Sequence, residues 1–249
     1  MQPTTDFLGL LGGKLAGGFA HAQVPAIPAW EVFIVFLGAG VLCLPALWNY
    51  ASLFTTLVHE LGHAVAAIST GRFVTGIRIH SDHSGRTHTY DVAGAPAAWW
   101  VFWGYPVPAA VGGVLVWAAL AGWAQPALSI GGVLVLLSLL AIRNLFGAAV
   151  VAGSAAATLA LVWVDDAQIN AHAALILGAF LLVGSLRSFG EVLAIHTKYP
   201  EDLDSSDAHI LALTTGVPAG IWLTLLGAGI AASWYATVAA AVPLLQLGV

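Results

Sequence analysis

The sequence predicts an all-α polytopic membrane protein with about seven transmembrane helices and a small β-hairpin inserted after the second. Composition is the first observation behind this: of 249 residues, 59% are hydrophobic and 8% charged, at a mean hydropathy of +0.91. A soluble domain carries about 25% charged residues, too many to match this chain. The second is where the charges fall. No Asp, Glu, Lys or Arg occurs between Asp91 and Arg143, or after Asp207. The third is length, because the uncharged stretches approach the ~20 residues that cross hydrocarbon as a helix.

Taken in order, the spans run from about Glu31 to Trp48, Ala51 to Thr70, Tyr105 to Trp123, Leu128 to Ile142, Leu145 to Val164, Asn170 to Leu186 and Val217 to Val238. Gly94–Gly104 is apolar but too short to span, and reads as a re-entrant or interfacial piece. Residues 1–29 form a Gly-rich tail at the membrane surface. Its Phe19-Ala20-His21-Ala22 stretch resembles a secretory cleavage site, but no positive n-region precedes it and Lys14 interrupts the apolar run. Residues 30–249 form one membrane-embedded domain, and 187–216 within it is a polar cytoplasmic loop.

Lys and Arg gather in cytoplasmic loops of membrane proteins. With a cytoplasmic N-terminus, Lys14, Arg72, Arg78, Arg86, Arg143, Arg187 and Lys198 all fall on that side, and they are all seven basic residues of the chain. The expected location is therefore the cell membrane, as a multi-pass protein with its N-terminus inside. The lipid bilayer is the first partner this implies.

Gly71–Tyr90 changes period. Phe73, Thr75, Ile77 and Ile79 alternate with Val74, Gly76, Arg78 and His80, and a Ser81-Asp82-His83-Ser84-Gly85 turn leads into Thr87 and Thr89. Strict alternation around a Gly-containing turn is the pattern of a β-hairpin. Further on, Ser205 or Ser206 caps a short helix from Asp207 to Thr215, stopped by Gly216-Val217-Pro218.

Several function classes are excluded or weakened. A net charge of −5 leaves no basic surface for nucleic acid. The single cysteine, Cys43, has no intrachain disulfide partner and reads as a packed thiol. His80, His83 and His88 are accounted for by a polar loop in water. Trp99, Trp100, Trp103 and Tyr105 are accounted for by an interfacial aromatic belt.

The chemistry lies in His59-Glu60-Leu61-Gly62-His63. Histidines four apart on a helix present both imidazoles to one zinc ion. Glu60, about a third of a turn round, can take a proton from a zinc-activated water as general base. Ionisable groups in the middle of a span are costly unless they have a function, and Gly62 lets another backbone come close. A catalytic zinc needs a third protein ligand. The candidates are Asp202, Asp204, Asp207, His209, Glu191 and His196 on one side, and Asp165 or Asp166 on the other. A metal-ion carrier and an inactive membrane scaffold are the competing classes. A carrier should show two related halves and polar groups spread along a pathway, and neither is evident.

The chain resembles the site-2 protease family of intramembrane zinc metalloproteases, in particular its short bacterial members. The likeness rests on His59–His63 in an early span, the Gly71-Arg72-Phe73-Val74-Thr75-Gly76-Ile77-Arg78 segment, the Gly104-Tyr105-Pro106-Val107-Pro108 turn, and Asp207-Ala208-His209-Ile210-Leu211-Ala212-Leu213-Thr214-Thr215-Gly216-Val217-Pro218. It implies one zinc ion completed by a late aspartate, here Asp207. It also implies a substrate that is a membrane protein cleaved in or near a transmembrane helix. The family commonly carries that aspartate in an Asp-Gly pair beside an Asn-Pro segment, and this chain has neither. Arg143 and Asn144, at a polar turn between two spans, are candidates for orienting substrate or stabilising an oxyanion.

Overall fold

The computed structural model describes residues 17–90, 97–164 and 166–247. Lys14, Asp165 and the first residues of the Gly94–Gly104 piece therefore lie outside the described residues. Helix α1 (Ala29–Leu42) stops one residue short of Leu44, and α2 (Pro45–Ser69) begins at a proline. A residue before proline is pushed out of the helical region, and Leu44 sits at φ −66, ψ 145. The predicted first span is therefore cut in two, and Trp48 belongs to α2.

Helix α2 ends in a Schellman motif. Gly71 takes φ 76, its N–H donates to Ile68 O and that of Arg72 donates to Ala67 O. The turn feeds β1 (Val74–Ile79) and β2 (Gly85–Thr89), an antiparallel pair with Ile77 opposite Thr87 and Arg78 opposite Arg86. Ile77 and Ile79 are buried and Arg78 exposed, as the alternation predicts. Across the loop, Asp82 accepts hydrogen bonds from Ser84 N and Ser84 Oγ, which hold its carboxyl below the usual carboxylate range. A further strand-like piece was not foreseen. Ile77 N donates to Ala141 O and Arg143 N donates to Ile77 O, so residues 141–143 pair with the other edge of β1.

Helix α3 (Ala97–Phe102) leads into α4 (Pro106–Leu120), followed by α5 (Ala124–Ser138), α6 (Leu145–Val164) and α7 (Ala167–Lys198). A 3-10 turn (Pro200–Ser205), α8 (Asp207–Thr215) and α9 (Ala219–Leu247) complete the described chain. Among the described residues, α2, α6, α7 and α9 are long and apolar enough to cross a membrane. Seven spans are therefore not clearly present. Helices α1, α4 and α5 have 14, 15 and 15 residues, or about 22 Å at 1.5 Å per residue against a ~30 Å hydrocarbon core. Gly122, at φ 79, helps end α4, and the pairing of residues 141–143 with β1 draws the chain away from α5 after Ser138.

The polar stretch after Leu186 is also corrected. Helix α7 continues through Arg187 to Lys198, with an Arg187–Glu191 pair at 3.3 Å one turn apart. Such a pair supports a helix rather than ending it. The cap of α8 is as predicted: the Ser206 side chain accepts from His209 N, and Gly216 takes φ 72 at the far end.

The core lies where α4 crosses α7. A Cβ on Gly112 would stand 2.7 Å from Gly178 O, and one on Gly178 would stand 2.7 Å from Gly112 O. Only paired glycines let two helix backbones approach this closely. Leu175, Leu181 and Leu182 of α7 are fully buried beside this crossing. By contrast α6 and α9 bury only 17% and 22% of their most apolar stretches.

Candidate metal centre

Helical spacing stacks His59 and His63 on one face of α2, with ring centroids 4.6 Å apart and Nε2 atoms 3.0 Å apart. His63 is fixed by its other nitrogen, which lies 2.9 Å from the Trp100 carbonyl oxygen in α3. A carbonyl only accepts, so Nδ1 carries the proton and Nε2 offers its lone pair.

Asp207 is the first residue of α8, and the Ser206 cap beside it is buried with Ala208 and Leu211. This anchoring brings Asp207 Oδ2 to 3.3 Å from both His59 Nε2 and His63 Nε2. Oδ2 is buried with no partner in good hydrogen-bond geometry. Three donor atoms thus form a triangle with sides of 3.0, 3.3 and 3.3 Å. Tetrahedral zinc with bonds of about 2.0–2.1 Å separates its ligand atoms by ~3.3 Å, so the set fits zinc. Ligand atoms of His59, Glu60 and His63 also lie within 4.8 Å of one another.

Glu60 is 3% exposed, and its Oε2 accepts a 2.6 Å hydrogen bond from Thr87 Oγ1 on β2. The hairpin lies directly on this carboxylate. A Cβ on Gly85 would come within 2.6 Å of Glu60 Cγ and 2.7 Å of Cδ. On the other side, a Cβ on Gly104 would reach 2.6 Å from His63 Nε2 and 2.7 Å from His59 Cε1. The close backbone approach expected at Gly62 is made by Trp103 O, 2.7 Å from where its Cβ would stand.

The other acids and histidines lie elsewhere. Asp204 is fully exposed and 3.9 Å from His209 Nε2, His196 Nε2 lies 2.8 Å from Ser206 Oγ, and Asp166 caps α7. Arg143 and Asn144 are taken up by β1. Asn144 Nδ2 donates to Ile79 O and its Oδ1 accepts from Ile79 N, while Arg143 donates to the carbonyls of Thr75, Leu140 and Ile142. Thr87 and Trp100 are the contacts not anticipated. The register sets Thr87 opposite Ile77 on the same face, and the packing of the hairpin on α2 brings that face to Glu60. The Tyr105 ring, set aside as belt, lies 4.8 Å from the His59 ring.

The sequence profile of the peptidase M50B-like family matches residues 32–237, most of the chain. The chain belongs to this family. It is the site-2 protease-like family that the sequence resembles, so the M50B-like chain is a membrane protein of a metallopeptidase family. No curated protein and no solved structure matches the M50B-like chain.

Proposed function

We propose that this chain is a zinc-dependent intramembrane endopeptidase that hydrolyses a peptide bond in or beside a transmembrane helix of another membrane protein. The donor triangle of His59, His63 and Asp207, with buried Glu60 next to it, carries the reading. In this proposal those three residues hold one zinc ion. Zinc there supplies a Lewis acid that lowers the pKa of water to about 7. Glu60 is the general base, and it returns the proton to the leaving amine. The Thr87 hydroxyl fixes one Glu60 oxygen, and the other lies against Gly85.

A membrane helix has every backbone group bonded internally, so the substrate must unwind before a carbonyl can react. Since β1 is flanked by β2 and by residues 141–143, an unwound segment joins the hairpin at the outer edge of β2. That strand holds Gly85 and Thr87 against Glu60, so an added strand lies next to the base. In this reading Arg143 and Asn144 act by building the sheet rather than by touching substrate. The contact of Arg143 with Gly76 keeps the hairpin and the α5–α6 turn on one side of the molecule.

The test is Glu60→Gln in purified protein. It should retain about one zinc per chain and lose cleavage of a helix-containing substrate. Equal processing by wild type and variant refutes the enzymatic reading. Zinc flux in liposomes that survives the substitution replaces it with a carrier.

A further inference from the structure

The hairpin has a second face. Ile77, Ile79 and Thr87 are buried, and the opposite face carries Gly76, Arg78, Arg86 and His88, set side by side by the pairings Arg78–Arg86 and Gly76–His88. Arg78, Arg86 and His88 are exposed. Arg143 joins them from the α5–α6 turn. Its stem lies across Gly76, where a Cβ would stand 2.5 Å from Arg143 Cγ. Thr75, Gly76, Arg78, His88 and Arg143 line an open groove of about 490 Å³.

We propose that this groove is a headgroup site for an anionic phospholipid, with the arginines holding its phosphate at the edge of the bilayer. Arg78 and Arg143 line the groove, and Arg86, directly opposite Arg78 on the paired strand, adds its charge beside it; like charges so placed destabilise a sheet, and an anion in the groove offsets that repulsion. Among the described residues no carboxylate lies within ion-pair distance of Arg78, Arg86 or Arg143. Arg143 is held in place by Nε and Nη1, which donate to carbonyls. Its position is therefore set while its charge stays unneutralised, a preorganised phosphate ligand.

The surroundings select a lipid over an acidic protein segment. Leu140 and Leu145, either side of Arg143 in the chain, are 76% and 90% exposed, and Phe73 and Tyr90 at the open end of the hairpin are 73% and 69% exposed. Exposed apolar side chains next to arginines suit acyl chains below a charged headgroup layer. The zinc chemistry proposed above plays no part in this site.

The full chain in neutral detergent is titrated with phosphatidylglycerol or phosphatidylcholine in mixed micelles, and bound lipid is counted by native mass spectrometry. Wild type should prefer phosphatidylglycerol. R78Q/R86Q should weaken that binding roughly 30-fold, at about 5-fold per arginine near a membrane surface. Lys198→Gln, exposed at the end of α7, should change nothing. R78K/R86K should recover most of the binding, which separates loss of charge from damage to the hairpin. At constant ionic strength, excess inorganic phosphate and excess polyglutamate should both leave the lipid bound. Equal binding of the two lipids by wild type, or equal phosphatidylglycerol binding by wild type and R78Q/R86Q, overturns the proposal. Displacement by phosphate or by polyglutamate also overturns it, in favour of a free anion or an acidic protein segment.

Discussion

Gly104→Ala adds one methyl group against both imidazoles. Gly104 is not among the glycines with positive φ, so an alanine fits its backbone and the effect is steric alone. The new Cβ would stand 2.6 Å from His63 Nε2 and 2.7 Å from His59 Cε1, where ordinary contacts begin at 3.4 Å. The rings must give way by about 0.7 Å or more, while a metal site tolerates shifts of only about 0.2 Å. Overpacking of this kind costs about 1–3 kcal/mol. If it falls on the liganded state, zinc affinity drops about 5- to 150-fold. The assay is chelator competition followed by metal analysis, with Gly153→Ala as control because a Cβ there meets nothing within 4 Å. A Gly104→Ala protein that holds zinc within about twofold of wild type would refute the proposed use of the two imidazoles.

Thr87→Val keeps the shape of the side chain and removes the 2.6 Å hydrogen bond to Glu60. Bonds to charged groups contribute about 1.5–3 kcal/mol, so kcat should fall roughly 10- to 150-fold with zinc content unchanged; an unchanged kcat would show that Glu60 is held in another way. Asp207→Ala should lose zinc while Asp204→Ala keeps it, by metal analysis of the purified variants. The reverse result would move the third ligand to Asp204. Asn144→Ala removes two hydrogen bonds to Ile79, each contributing about 0.5–1.5 kcal/mol. Faster hydrogen exchange in β1 should follow, with zinc retained, and unaltered exchange would show that the third strand stands without Asn144.

Features set by local spacing were legible in the sequence. The pairing of His59 with His63 follows from the helical repeat, the burial of Ile77 and Ile79 from strand alternation, and the limits of α8 from Ser206 and Gly216. Hydropathy was a poorer guide to length. Apolarity is the same on both sides of Pro45 and Gly122, whereas the backbone is interrupted there. Arg187 and Glu191 look like the end of a span because they are charged, although their spacing lets them pair along a continuing helix. Contacts made across the fold left no local trace. Nothing around Thr87 names Glu60 as its partner, and the polarity of Arg143 and Asn144 reads equally well as a substrate site or as the sheet seam that the structure shows.

The cover that β2 forms over Glu60 has a kinetic consequence. Glu60 and His63 are 3% and 4% exposed beneath the hairpin and α3, so a substrate strand docked on β2 meets them, and a chelator strips their metal, only when the hairpin lifts. Its fluctuation sets a ceiling on throughput: substitutions in the loop at His80–Ser84 should change turnover and the rate of metal exchange by the same factor, and leave the equilibrium affinity for metal alone.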